Sequence, residues 1–138
     1  MADSEVCEII TCRLFSAPRE KLLDKDLKGM TAVFDTMVEP LGIKLADDVI
    51  YMSWPTDDNV DEKVFYAMVV WAAMMIKGKG QKLLITGTGD AVDVLSACIM
   101  REYLGCDAIT VLKIMREHKE GCLTKTELIQ TVMTYRPT

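Results

Sequence analysis

Leu83-Leu84-Ile85-Thr86-Gly87-Thr88-Gly89-Asp90-Ala91-Val92-Asp93-Val94-Leu95-Ser96 decides how the rest of the chain is read. Its short apolar run suits a strand buried in the centre of a sheet. A glycine-rich turn follows, and from Ala91 the residues take up the period of a helix. Such a junction aims backbone N–H groups and the positive end of a helix dipole at one small volume, where anions commonly sit. Yet the turn carries two aspartates and no Lys, Arg, His or Cys. The backbone pattern suits a phosphate and the side chains oppose one.

Upstream, Val64, Phe65, Met68, Val69, Ala72, Met75 and Ile76 follow the spacing of an amphipathic helix, which Gly78 and Gly80 stop. Asp57 to Asp61 is an acidic loop opening that helix, and Val49 to Ser53 is a strand ended by Trp54-Pro55. Thr31 to Phe34 reads as a short buried strand and Val6 to Phe15 as a strand region. Pro18 is expected to open a charged helix to about Leu27, ended by Gly29. The stretch from Asp35 to Asp48, with Pro40 and Gly42, reads as loop or interrupted helix. Downstream come three helices, Ala91 to Leu104, Asp107 to His118 and Thr124 to Tyr135, punctuated by Gly105 and Gly121. Asp107 and Thr124 suit N-caps, and Thr124-Lys125-Thr126-Glu127 fits a capping box. Strands alternating with helices, followed by a run of helices, predict an α/β fold with a central sheet of about four or five strands flanked by helices.

The 138 residues hold no repeat and no dividing linker, which predicts a single domain over residues 1–138. Half of them are hydrophobic and 27% are charged, a composition that folds. A net charge of −5 without a basic face argues against nucleic acid, and Lys77, Lys79 and Lys82 read as a solvated loop. The most apolar run, Phe65 to Ile76, is too short to span a bilayer, and no signal peptide opens the chain. A cytoplasmic protein away from membranes is expected. Five cysteines without a CxxC pair suggest neither zinc nor a disulfide framework, and Cys98 reads as core. His118, the one histidine, sits at a helix end with no nucleophile arranged beside it. Gly87-Thr88-Gly89 lacks the third glycine of a dinucleotide turn, since position 92 is Val.

In this order the elements resemble the dual-specificity phosphatases of the protein tyrosine phosphatase superfamily, best over 50–136 and less closely over 10–34. Ile50-Tyr51-Met52-Ser53-Trp54-Pro55-Thr56-Asp57-Asp58-Asn59 is similar to the segment bearing that family's general-acid aspartate, which places Asp58 there. Leu83 to Thr86 stands where the strand before the phosphate loop would be. Arg101-Glu102-Tyr103-Leu104-Gly105 and Ile114-Met115-Arg116-Glu117 resemble the C-terminal helices. The family signature runs His-Cys, five residues, Arg, then Ser or Thr. On this chain the resemblance puts Thr86 at the His, Gly87 at the nucleophilic Cys, Asp93 at the Arg and Val94 at the final hydroxyl. It implies the phosphatase fold and, with four loop positions changed, no phosphatase activity.

The chemistry explains why. Phosphoryl transfer in that family needs a thiolate, which glycine cannot supply. It also needs a guanidinium to grip the phosphoryl group. A carboxylate about 5 Å from a phosphate dianion costs roughly 6 kcal/mol at an effective dielectric near 20. The helix terminus returns only about 0.3–2 kcal/mol. Asp90 at an N-cap and Asp93 at N3 would instead satisfy free N–H groups, leaving the loop plugged by its own carboxylates. Returning Cys to 87 and Arg to 93, with His at 86, would recover weak activity only on an otherwise competent scaffold.

The sequence therefore predicts an inactive phosphatase-like protein that binds another protein of unidentified nature, with neither metal nor cofactor assigned. Its degenerate loop is Thr86, Gly87, Thr88, Gly89, Asp90, Ala91, Val92, Asp93 and Val94. The candidate pocket mouth is Trp54, Asp57, Asp58, Asp90 and Asp93, whose acidity favours a basic or neutral peptide. Two alternatives remain on the same scaffold: repurposed or metal-assisted chemistry on Asp57, Asp58, Asp90 and Asp93, and a small-molecule or nucleotide-binding module.

Overall fold

The computed structural model describes residues 6–37, 49–53, 62–87 and 89–137. Five strands, β1 (Cys7–Ile10), β2 (Leu14–Pro18), β3 (Ala32–Asp35), β4 (Ile50–Ser53) and β5 (Leu83–Gly87), form a mixed sheet in the order β1-β2-β5-β3-β4. Only β1 runs antiparallel to its neighbour. The apolar run that opened the sequence reading is thus the central strand, and all five of its residues are buried.

Alternation along the strands divides the core. One face carries Ala32, Phe34, Leu83 and Ile85 against the helices α1 (Glu62–Ile76), α2 (Gly89–Leu104), α3 (Ala108–His118) and α4 (Thr126–Thr134). Here Trp71 of α1 stacks on Phe34, with ring centroids 5.0 Å apart. α2 lies at the centre of this layer, touching β2, β5 and each of the other three helices. Its segment from Val92 to Met100 is buried throughout, including Cys98. The opposite face carries Ala17, Val33 and Leu84 under Leu22 and Leu27. No helix among the described residues is long and apolar enough to cross a membrane.

Three local expectations are corrected. The strand region from Val6 to Phe15 is a hairpin of β1 and β2, turned at Cys12 with φ 60° and closed by the Arg13 amide donating to Ile10 at 2.9 Å. Pro18 opens no helix. It ends β2 opposite Gly87, at a strand end where a missing N–H is tolerated. The charged segment beyond it makes two short 3-10 turns, Arg19–Lys21 and Asp24–Leu27. Finally, α4 starts at Thr126 with Lys125 in the N-cap position, so the capping box expected at Thr124 does not form. Asp107 does cap α3, accepting from the Thr110 amide at 2.8 Å.

Candidate functional site

β2, β5, β3 and β4 run parallel, so their C-terminal ends meet along one edge of the sheet. In open α/β sheets that edge is where ligand chemistry collects. Gly87 sits there at the end of β5, and α2 begins at Gly89. Four of the five residues between positions 87 and 93, Gly89 to Val92, are therefore already helical. In an α-helix the amides from the fifth residue onward bond within the helix, leaving only the first four free. What remains is a plain helix N-terminus with Asp90 in its first turn.

Gly87 has φ +139°, a conformation side chains rarely adopt, and a Cβ placed on it would lie 1.7 Å from Oγ1 of Thr36. Thr36 is buried and fixed, donating to the Thr86 carbonyl oxygen from its amide at 2.9 Å and from its hydroxyl at 3.2 Å. The room beside Gly87 is thus filled from the residue that follows β3. The condition set on a restored cysteine, an otherwise competent scaffold, is demanding: position 87 holds no side chain without moving Thr36 and turning the backbone. Beside it Thr86 is completely buried, and its hydroxyl finds no hydrogen-bond partner among the described residues.

The expected capping by Asp90 and Asp93 is corrected: α2 begins at Gly89, which puts Asp90 inside the first turn and Asp93 beyond it, and both acids take lysine partners. Asp93 is buried, and both its oxygens accept from the Lys119 ammonium, at 3.2 and 3.3 Å. Burial pushes its carboxyl above the usual carboxylate range, with Lys119 pulling the other way and Asp90 adding a smaller push upward. Asp90 lies on the surface and pairs with Lys125 at 2.6 Å, an exposed contact that screening makes weak. The pairing partners come from just beyond α3 and from the start of α4, so both acids tie α2 to the C-terminal helices. A carboxylate already holding an ammonium is a poor start for a metal site. Among the described residues no group of three His, Cys, Asp or Glu side chains is placed to hold a metal ion. Trp54, Asp57, Asp58 and Thr88 lie outside the described residues, so the pocket mouth is seen only at Asp90 and Asp93.

A second polar group at the same edge went unread in the sequence. Asp35, fully buried at the end of β3, accepts from the Tyr51 hydroxyl at 2.6 Å and from the Met37 amide at 3.0 Å, and pairs with Arg19 at 3.4 Å. With both its oxygens engaged, this is a brace for the strand ends. The thiols near α2 are chemically quiet: burial drives Cys98 to a pKa of about 12, and burial with the negative Asp93 raises Cys122. Thr36, Lys119 and Lys125 are the residues that sequence reading missed. Only their contacts across the fold mark them, since Thr36 and Lys119 sit in no motif and Lys125 sits in one that points to a helix start.

No protein-family model matches the sequence, and no curated protein does. Solved structures do match in fold. DUSP15 superposes with a TM-score of 0.75 at 14% identity, covering 95% of this chain and 86% of its own. Human DUSP28 gives 0.71 at 10% identity, covering 95% and 92%. The human tyrosine phosphatase-like serine/threonine/tyrosine-interacting protein gives 0.72 at 17% identity, covering 94% of each chain. At these identities the likeness concerns architecture: this chain is built on the dual-specificity phosphatase scaffold, a five-stranded mixed sheet with four helices.

Proposed function

We propose that this chain is a catalytically inactive phosphatase-like module that acts by binding another protein. The observation that carries the reading is at Gly87, the place of the scaffold's nucleophilic cysteine, where the Thr36 hydroxyl occupies the space a side chain would need. Asp93 adds to it: an acid stands at the position that the resemblance matches to the phosphate-gripping arginine, and it pairs with Lys119 from just beyond α3. A phosphate dianion brought there would meet negative charge and no fork of donors. One neighbour in fold carries a name joining phosphatase-like to interacting protein, which agrees with this reading.

The exposed Asp90–Lys125 pair at the head of α2 is the part of the proposed docking mouth that can be altered without touching the core. Affinity capture from the protein's own cells tests the proposal, with Asp90→Arg as the control. Recovery of a near-stoichiometric partner by the wild type, lost in Asp90→Arg, is the expected outcome. Absence of any such partner, together with phosphoester turnover by the purified chain, would count against the module and for an enzyme.

A further inference from the structure

At the far end of α4 a cavity of about 410 Å³ opens between α1 and the C-terminal segment, lined by Phe65, Tyr66, Thr131, Thr134, Tyr135 and Arg136. Thr131 and Thr134 stand six and nine residues past Lys125, so this cavity lies about 9–13 Å along the helix from the Asp90–Lys125 pair. It is separate from the turn between Gly87 and Asp93, on which the proposed function rests.

The walls are built rather than incidental. Tyr66 and Tyr135 meet with ring centroids 5.7 Å apart. Tyr135 is buried, its hydroxyl donates to Glu102 at 2.8 Å, and its carbonyl oxygen accepts from Arg101, which also holds the Val132 carbonyl at 2.9 Å. The ring is therefore set before any ligand arrives. The hydroxyls of Thr131 and Thr134 donate to carbonyls of their own helix, so they offer a ligand lone pairs only. Arg136 is exposed and makes no ion pair or hydrogen bond among the described residues, and no acid is among the lining side chains. Three aromatic rings beside one unengaged guanidinium ask for a flat apolar body carrying negative charge.

The kind of charge follows from the count of cations. A guanidinium fork matches a carboxylate with two parallel hydrogen bonds. A phosphate dianion wants a second positive group, and among the described residues Arg136 is the one charged residue of the lining. We propose that this cavity is a binding site for a small aromatic monocarboxylate, its ring against Phe65, Tyr66 and Tyr135 and its carboxylate on Arg136. This site goes beyond the protein-binding reading and stands without it.

Amide chemical-shift titration of the full chain with benzoate, phenyl phosphate, benzyl alcohol and inorganic phosphate tests the assignment. Benzoate is expected to shift residues 65–66 and 131–136 saturably in the millimolar range. The other three should bind at least about tenfold more weakly, a difference of about 1.4 kcal/mol. Arg136→Ala, at an exposed position outside the core, should bring benzoate down to the level of benzyl alcohol, with Arg136→Lys in between. Equal binding of benzoate and benzyl alcohol, indifference to Arg136→Ala, or no saturable shift would overturn the site. Tighter binding of phenyl phosphate would overturn the carboxylate assignment.

Discussion

At Gly87 and Asp93 the neighbouring side chains decide what each position can hold. Glycine at the end of β5 lets φ reach +139°, and Thr36 Oγ1 stands where a Cβ would be. Gly87→Cys therefore meets both a steric overlap and backbone strain, expected to cost about 2–5 kcal/mol in a denaturant titration. Thr36→Ala in the same chain should return part of that loss, because the overlapping Oγ1 is removed while the strain remains. A double-mutant cycle would read a coupling of about 1 kcal/mol or more. Asp93 and Lys119 lie 26 residues apart, a pairing no sequence window contains. Lys119→Met leaves the buried carboxylate without its ammonium and is expected to cost about 2–3 kcal/mol near neutral pH, less than a fully buried pair would because Lys119 reaches solvent. The pH dependence has a fixed sign. Asp93 titrates above its unfolded value, so its stabilising contribution is full below the ordinary carboxylate range and is lost as pH rises through the folded value. Removing Lys119 lifts that value further. The variant should therefore lose least stability in mild acid and most at neutral pH, as thermal melting across pH would show.

Among the elements, the long helices and the central strand were legible because each repeats one pattern over many residues. The run Leu83 to Ile85 and the spacing from Val64 to Ile76 reappear as β5 and α1. The N-terminal hairpin was not legible, since its two short strands lack an Asn-Gly type of turn and Pro18 carries the same signal at a helix start and a strand end. The start of α4 was misread as well: Lys125, whose ammonium reaches Asp90 of α2, stands at the N-cap position in place of Thr124. The other end of α4 is held from α2. Arg101 of α2 donates to the carbonyls of Val132 and Tyr135, satisfying acceptors at the helix end. Arg101→Ala is expected to lower stability by about 2 kcal/mol and to speed amide exchange in α4 before the rest of the chain. Arg101→Lys should recover little of this, because a single ammonium cannot copy the fork.

At the scale of the whole molecule, the edge where the parallel strands end is closed at Gly87 by Thr36, and Asp90 and Asp93 beside it are tied to lysines. The order of strands and helices was readable as a phosphatase resemblance, and the superpositions agree with it. The closure was not readable, because it depends on Thr36, Lys119 and Lys125, which reach Gly87, Asp93 and Asp90 only once the sheet and helices are assembled. The same core sets the reactivity of the thiols. Cys12 is exposed and should alkylate at once, whereas Cys98, buried in α2 with its pKa near 12, should react only as fast as the molecule unfolds globally. Peptide mapping after timed labelling would separate the two. The central claim is that the scaffold persists without its phosphoryl chemistry. Hydrolysis of p-nitrophenyl phosphate by the purified chain tests it most directly. The account predicts no turnover above buffer, and contradiction would be saturable turnover that follows the chain through purification and falls in Asp58→Asn.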